Sequence, residues 1–395
     1  MSFFSQFQQY AGTFATVAAG AIIARAVGIM QSDTHDDHSG PSPQEPGNYK
    51  PSHVDVIVVR VMLEKAFNFP PEILDLIIDQ AEYWPHSEAS IYHAVTPLRD
   101  ALRVVGTRRD ENKFILRCPP IGFLDFKKVG PAFKTAPLPP KSGDGSPVTE
   151  PLRNLTLLEP KSSPTEIVSE APREYFTGSM KAPPTLTHPV RKIVFKLRSK
   201  DQGWGGGHGD RGSYRGSWSW FEAGLEKFDN ERTCKLSFGS WYEILLSIDE
   251  TGDGSCKIAA ESSDSESEEA PVISETNLCT CGLQSIYPPV LATADGKLAY
   301  SHAMHPLENL KIQTNKTANR DFMDHEVVWS WTDDIHPESP EADRLAEIGR
   351  GKDTGTGKFV RNLKLGDVVT VWGKARFGGW ANYVESVKVE IYWAV

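Results

Sequence analysis

Cys279 and Cys281, one residue apart, are half of what a tetrahedral metal site needs. No second cysteine pair and no histidine pair stands at ligand spacing to complete it, so the pair reads as redox-sensitive at most, and neither metal nor cofactor is expected. Asp333 and Asp334 resemble paired carboxylates, but neighbours on an extended strand face opposite sides, which denies them a shared acid/base role. The run Gly203-Trp204-Gly205-Gly206-Gly207-His208-Gly209 invites a phosphate-loop reading. A phosphate cradle needs glycines that open a helix and a lysine that follows, whereas here the β-like run Ser213–Phe221 follows. No nucleophile elbow, P-loop, zinc-protease motif or Cys-x-x-Cys pair occurs, so the chain reads as non-enzymatic.

Binding chemistry is better represented. Nine of the ten tryptophans (Trp204, Trp218, Trp220, Trp241, Trp329, Trp331, Trp372, Trp380 and Trp393) lie in the C-terminal half. The pairs Trp218/Trp220 and Trp329/Trp331 each share a strand face and are expected in a core. Trp204 and Trp380 sit beside glycines, in loops, and are the candidates for exposed rings. With His208, Asp210 and Arg211 at the tip of the first loop, and Arg376 and Asn382 flanking the second, they form a candidate ligand-binding set. An indole beside Asp, Asn and Arg suits a sugar or a peptide.

The elements that must hold these residues are β-strands. Ile193, Phe195 and Leu197 alternate with Lys192, Lys196 and Arg198, and Val327, Trp329 and Trp331 share a face. Val368–Trp372 follows a Gly-Asp turn, and Val387, Val389, Ile391 and Trp393 close the chain with a period of two. Strand after strand from Val190 to Val395 predicts an antiparallel β-sandwich. It is interrupted at 249–277 by an acidic, serine-rich insertion expected to be disordered; there Ser262, Ser263, Ser265 and Ser267 are either acid-directed kinase sites or a plain solvated loop.

Upstream, residues 53–135 carry helical periodicity. Val54, Ile57, Val58, Val61 and Met62 recur at helix spacing. Pro70-Pro71 opens a second helix with the apolar set Ile73, Leu74, Leu76, Ile77 and Ile78, a third helix is expected near Pro97–Val105, and Lys113–Arg117 alternates as a short strand. Proline-dense residues 136–189 read as an inter-domain linker and polar residues 33–52 as another. Residues 1–32 read as an apolar helix. The stretch 11–30 is just long enough to span a bilayer, but it is Ala/Gly/Thr-rich and carries Arg25, so a membrane-associated and a soluble helix both stand.

A formal net charge of −10 excludes a nucleic-acid partner that depends on a basic face. Five cysteines in 395 residues are no disulfide framework and fit the cytosol or nucleus, with membrane association resting on residues 11–30 alone. The fold class expected is α+β and multidomain: a small N-terminal helical module and a C-terminal antiparallel β-sandwich.

Two resemblances add to this. Phe69-Pro70-Pro71-Glu72-Ile73-Leu74-Asp75-Leu76-Ile77 is similar to the opening of an F-box, Leu-Pro-x-Glu-Ile-Leu. The likeness implies a substrate receptor of a cullin-type ubiquitin ligase, docking a Skp-type subunit through Pro70, Pro71, Ile73, Leu74 and Ile77 and capturing a client with the sandwich. Tyr83-Trp84-Pro85-His86 departs from the leucine-rich second helix of that family. The C-terminal block resembles the tail of a group of uncharacterised fungal proteins, some with F-box-like or ankyrin regions upstream. The resemblance rests on Gln202-Gly203-Trp204, Ser217–Glu222, His325–Trp329, Leu363–Trp372 and Ala375-Arg376-Phe377 with Trp380 and Asn382. In general plan it looks like galactose-binding-like and F-box-associated domains. The expected role is a non-enzymatic recognition adaptor; the alternative is a stand-alone carbohydrate- or peptide-binding protein.

Overall fold

The computed structural model describes residues 50–93, 101–107, 110–123, 152–154, 170–177, 180, 183–230, 283–292 and 298–395. The apolar stretch 11–30, most of both predicted linkers, the acidic insertion, Trp241 and the Cys279/Cys281 pair lie outside them. Among the described residues no helix is long and apolar enough to cross a membrane. The chain divides into two compact units, a small one of residues up to His86 with Pro184–Pro189 and Tyr392–Val395, and a large one of Ser87–Pro183 and Val190–Ile391.

The small unit holds two helices, α1 (His53–Phe67) and α2 (Pro71–Gln80). α1 begins where Ser52 and Asp55 exchange hydrogen bonds in a capping box, and ends where Asn68 turns left-handed and its N–H reaches the Glu64 carbonyl. α2 begins at Pro71, whose missing N–H is not needed in a first turn. Val56, Val59, Leu63, Leu74, Ile78, Tyr83 and Trp84 pack together with Tyr392 and Val395. The predicted stripe of α1 is therefore the wrong face: Val54, Ile57, Val61 and Met62 are exposed. The helix is apolar on two sides, and periodicity alone does not say which side is buried.

The large unit is built on two five-stranded sheets. The first runs β1 (His86–Tyr92), β13 (Ala381–Trp393), β5 (Val190–Lys200), β11 (Met323–Ser330), with β2 (Leu102–Val105) also on β13. The second runs β10 (Lys311–Thr314), β6 (Ser219–Phe228), β12 (Val368–Ala375), β3 (Asn112–Arg117), with β7 (Leu283–Tyr287) also on β6. Pairing is antiparallel for β11 on β5 and for both neighbours of β12. A small third sheet joins β4 (Leu152–Asn154), β9 (Leu298–Ala303) and β8 (Val290–Ala292), with β4 parallel to β9.

Four expectations are corrected here. Leu102–Val105 is a strand and not part of a third helix, because its registered partner β13 satisfies its backbone. The helical part ends at Gln80, and from His86 the segment expected to be a helical module supplies strands to both sheets, so β structure begins well before Val190. Within the predicted linker 136–189, Leu152–Asn154 is paired and Arg173–Thr177 is a short helix, α3, whose Phe176 packs with Phe123, Phe228 and Val368. The C-terminal half also carries helices, α4 (Pro340–Glu347) and α5 (Lys358–Asn362), which the strand-only reading lacked.

The parity of β12 decides what each face does. All eight of its residues are buried, Val369, Val371, Gly373 and Ala375 on one face and Val368, Thr370, Trp372 and Lys374 on the other. Gly373 lies so close to Val104 of β2 and Ile115 of β3 that a Cβ there meets them at 3.1 and 2.8 Å. The opposite face, shared with Trp220, Glu222 and Glu226 of β6, carries buried charge. Glu226 makes a two-pronged pair with Arg117 at 2.7 and 3.1 Å. Tyr300 and His302 of β9 lie over this face, both against the Trp372 ring.

Candidate functional site

Two places in the large unit bring reactive or ligand-binding side chains together. The first is the loop end, where the 201–218 connection between β5 and β6 meets the 376–380 turn between β12 and β13. A buried amide network stands beneath it. Ser199 Oγ donates to Asn315 Oδ1 at 2.7 Å, Asn315 Nδ2 reaches Ser219 Oγ at 3.1 Å and Asn382 Oδ1 at 3.0 Å, and Asn382 Nδ2 reaches the Trp220 carbonyl at 3.1 Å. These bonds tie β5 and β13 of one sheet to β6 of the other. Buried Asp201 accepts from Gly203 N and Ala318 N at 2.7 and 2.6 Å; burial pushes its carboxyl up, and those amides oppose the shift. Gln202 receives the Ala381 N–H at 3.0 Å, which joins the two loops directly.

On this base sit the aromatic rings. Trp204 is 61% exposed, and its ring lies over Gly379, where a Cβ would stand 3.1 Å from Trp204 Cη2. Gly379 is also left-handed, at φ +97°, so the position is closed to a side chain on both counts. Phe377 is exposed too, packs edge-on against Trp218 with centroids 4.6 Å apart, and holds φ at 64°. A bulky residue in the left-handed region costs on the order of 1–3 kcal/mol, the kind of strain that collects at ligand clamps. His305 borders Trp218 at 5.5 Å.

The predicted ligand set splits here. Trp204, His208 and Arg211 are exposed on the 201–218 loop, and Asp210 and Trp380 are half-buried. Arg376 and Asn382 are not surface contacts, since both are fully buried. The Arg376 guanidinium donates to the carbonyls of Glu111, Ala375 and Ala303 and to Asn112 Oδ1, and lies over the Trp220 ring. Parity explains both: Arg376 continues the inward register of Trp372 and Lys374, and Asn382 points into the amide network. Phe377 and His305 belong to the platform and were missed, and Trp218, expected in the core beside Trp220, is instead half-buried against them. The Gly378-Gly379 pair, which demands a tight turn directly after Phe377, was the available signal. Of the predicted docking residues in the small unit, Pro70, Pro71 and Ile73 are exposed and Ile77 is half-buried. Leu74 is a core residue, 2% exposed, and is withdrawn as a docking contact. Asp333 caps Ser330 N with its carboxylate at 2.9 Å.

The second place is a narrow cleft, partly open to solvent, between the charged face of β6 and β12 and the segments of β7 to β9. Lys374 Nζ lies 2.5 Å from His302 Nδ1 and 3.2 Å from Glu222 Oε2. Glu222 Oε1 accepts from Trp220 Nε1 at 2.7 Å and from Leu307 N at 3.2 Å. Burial pulls the Lys374 ammonium down to about 8; Glu222 opposes the shift and the nearby Arg376 adds to it. Burial first, then the charges of Lys374 and Arg376, hold His302 well below its ordinary range, so the ring is neutral. With Nδ1 accepting from Lys374, the ring proton sits on Nε2, which is buried and meets no hydrogen-bond partner among the described residues. Sequence reasoning passed over all three residues: a single His, Lys or Glu on a strand carries no spacing signature.

Comparison with protein-family models, with curated proteins and with solved structures finds no match in any of the three. The geometry of these two places therefore carries the functional reading.

Proposed function

We propose that this chain is a non-enzymatic recognition protein whose large unit, its two five-stranded sheets packed as a β-sandwich, binds a carbohydrate or an extended peptide at the loop end. The observation that carries this reading is the exposed Trp204 ring seated over Gly379, beside the strained Phe377, on a base fixed by Asp201, Gln202 and Asn315. A preorganised aromatic surface loses little freedom on binding, and an indole face stacks on a sugar ring or a peptide side chain while His208 and Arg211 supply hydrogen bonds. Glycan-array and peptide-array binding by the full chain tests it. Trp204→Ala and Phe377→Ala are each expected to weaken an identified ligand by at least about tenfold, the scale of an interface hot spot. Binding that is indifferent to both changes removes the loop end from the reading.

A second reading, the adaptor, has one observation in its favour. The small unit exposes Val54, Ile57, Val61 and Met62 along α1 and Ile73 and Leu76 on α2, more apolar surface than two solvated helices need. In that reading the face holds a protein partner, a Skp-type ligase subunit being the form the F-box likeness implies, and the sandwich holds the client. Co-purification of such a subunit with the wild-type chain but not with Ile73→Asp supports it. Leu74→Ala is unsuited to the test, because it is expected to destabilise the unit by about 2–5 kcal/mol.

A further inference from the structure

The Lys374 cleft is not used by either reading, and it has the features of a reaction site. A buried lysine is normally neutralised by one good ion pair. Here Glu222 is already engaged by Trp220 and by the Leu307 amide, so it shares its charge among three donors. The second acceptor of the amine is an uncharged imidazole, His302. Two of the three ammonium protons are thereby matched, and the Nε2–H of His302, 2% exposed, has no acceptor among the described residues.

The charge balance indicates what would fill the space. Lys374 and Arg376 are opposed by Glu222 and Glu111 within the same buried region, so an added anion would be uncompensated. Most of the remaining lining is apolar, with Ala223, Pro288, Pro289, Leu307, Leu310 and Trp372 among it, and Tyr287 and Ser301 add two hydroxyl-bearing residues. A small neutral molecule with one hydrogen-bond acceptor and an apolar body fits those walls. At Gly224, on β6 next to the cleft, a Cβ would meet Thr370 Oγ1 at 2.2 Å and the Tyr287 carbonyl at 2.6 Å. That glycine fixes how closely β7 approaches β6, and hence the width of the opening.

We propose that Lys374 captures a small aldehyde or ketone as a Schiff base in this cleft, with His302 moving the protons. The neutral Nζ attacks the carbonyl carbon, and the carbonyl π pair moves onto oxygen. Nitrogen gives up one proton to His302 Nδ1, which passes it on to the oxygen directly or through water, forming the carbinolamine. A second proton transfer expels the hydroxyl as water as the nitrogen lone pair forms the C=N bond. Amine and carbonyl become imine and water, with no change of oxidation state. A lysine that is partly unprotonated near neutral pH, held in an apolar pocket beside an acid/base group, is the form such amines take.

The test is reductive trapping in the full chain. Folded protein is incubated with dilute acetaldehyde and cyanoborohydride at neutral pH, and ethylation is mapped by peptide mass spectrometry. Ethylation at Lys374 is expected to exceed that at exposed Lys196 by about tenfold or more, because burial of Lys374 favours its neutral, nucleophilic amine. His302→Ala, folded by near-ultraviolet circular dichroism, is expected to slow Lys374 labelling while Lys196 labelling stays constant. Labelling of Lys196 with Lys374 untouched in the folded wild type overturns the proposal, and equal Lys374 rates in wild type and His302→Ala overturn the role of the histidine. Trapping is independent of Trp204, so Trp204→Ala labels like wild type whether or not the loop end binds a ligand.

Discussion

The loop end and the cleft draw on the same two strands, β6 and β12, yet they handle unsatisfied groups in opposite ways. At the loop end the polar groups beneath the surface answer one another: Asn315, Asn382, Ser199 and Ser219 form a closed network, and what is left for a partner is aromatic surface. In the cleft the aromatic rings are buried, and what is left is polar, a donor on His302 and a partly matched amine on Lys374. The contrast separates two signals of function that are easily merged. Exposed apolar rings on a rigid base point to recognition, whereas a buried amine held between an imidazole and a carboxylate points to chemistry.

Mutations that break this contrast should be graded. The largest effect is expected from Arg376→Met, which removes the guanidinium bonds to the carbonyls of Glu111, Ala375 and Ala303 and to Asn112 Oδ1. A loss of about 3 kcal/mol or more in urea unfolding, with both places disordered together, is the expected outcome. Asn315→Leu comes next, at about 2 kcal/mol, since it strands Asn382 Oδ1 and Ser199 Oγ; it is expected to weaken ligand binding at the loop end and to leave Lys374 trapping intact. A uniform loss at both places would show that they are one cooperative structure and not two.

Titration sharpens the contrast further. The folded chain holds Lys374 near 8, while the unfolded chain returns it to its ordinary 10.5. Between these values the unfolded state binds the extra proton, so stability rises with pH across that window and levels off above it. Asp201 at the loop end has a raised carboxyl, so its contribution runs the other way: stability falls as pH climbs past its ordinary 3.8. Chemical denaturation of wild type against Lys374→Met is expected to show the alkaline rise in the wild type only. The smallest effect on stability belongs to Trp204→Ala, within about 0.5 kcal/mol, because the ring is mostly solvated. Phe377→Gly is expected to change stability by no more than about 1 kcal/mol, the relief of its left-handed strain being offset by the freedom glycine adds to the unfolded chain.

Much of the scaffold was readable. The strands Val190–Lys200, Met323–Ser330, Val368–Ala375 and Ala381–Trp393 show their alternation or their apolar runs directly, and Pro71 marked the start of α2. Leu102–Val105 was misread because four residues carry too little periodicity to outvote a helical neighbourhood, and only pairing with β13 makes them a strand. Trp204 was legible as an exposed ring because glycine flanks it on both sides. Arg376 and Asn382 were misplaced because a loop-like context hid the parity that turns them inward.

What the sequence determined by itself is local: which segments extend, where they turn, and that the C-terminal half is dense in indoles. Backbone preference and side-chain alternation act between neighbours and need no partner to be seen. The tertiary structure alone decided that Glu222, His302 and Lys374 meet, for they come from three strands separated by long stretches of chain. It likewise decided that Trp204 rests on Gly379 and that Arg376 is enclosed. A site made of single residues brought together by sheet order has no spacing to read, because the distances that matter run across strands and not along them.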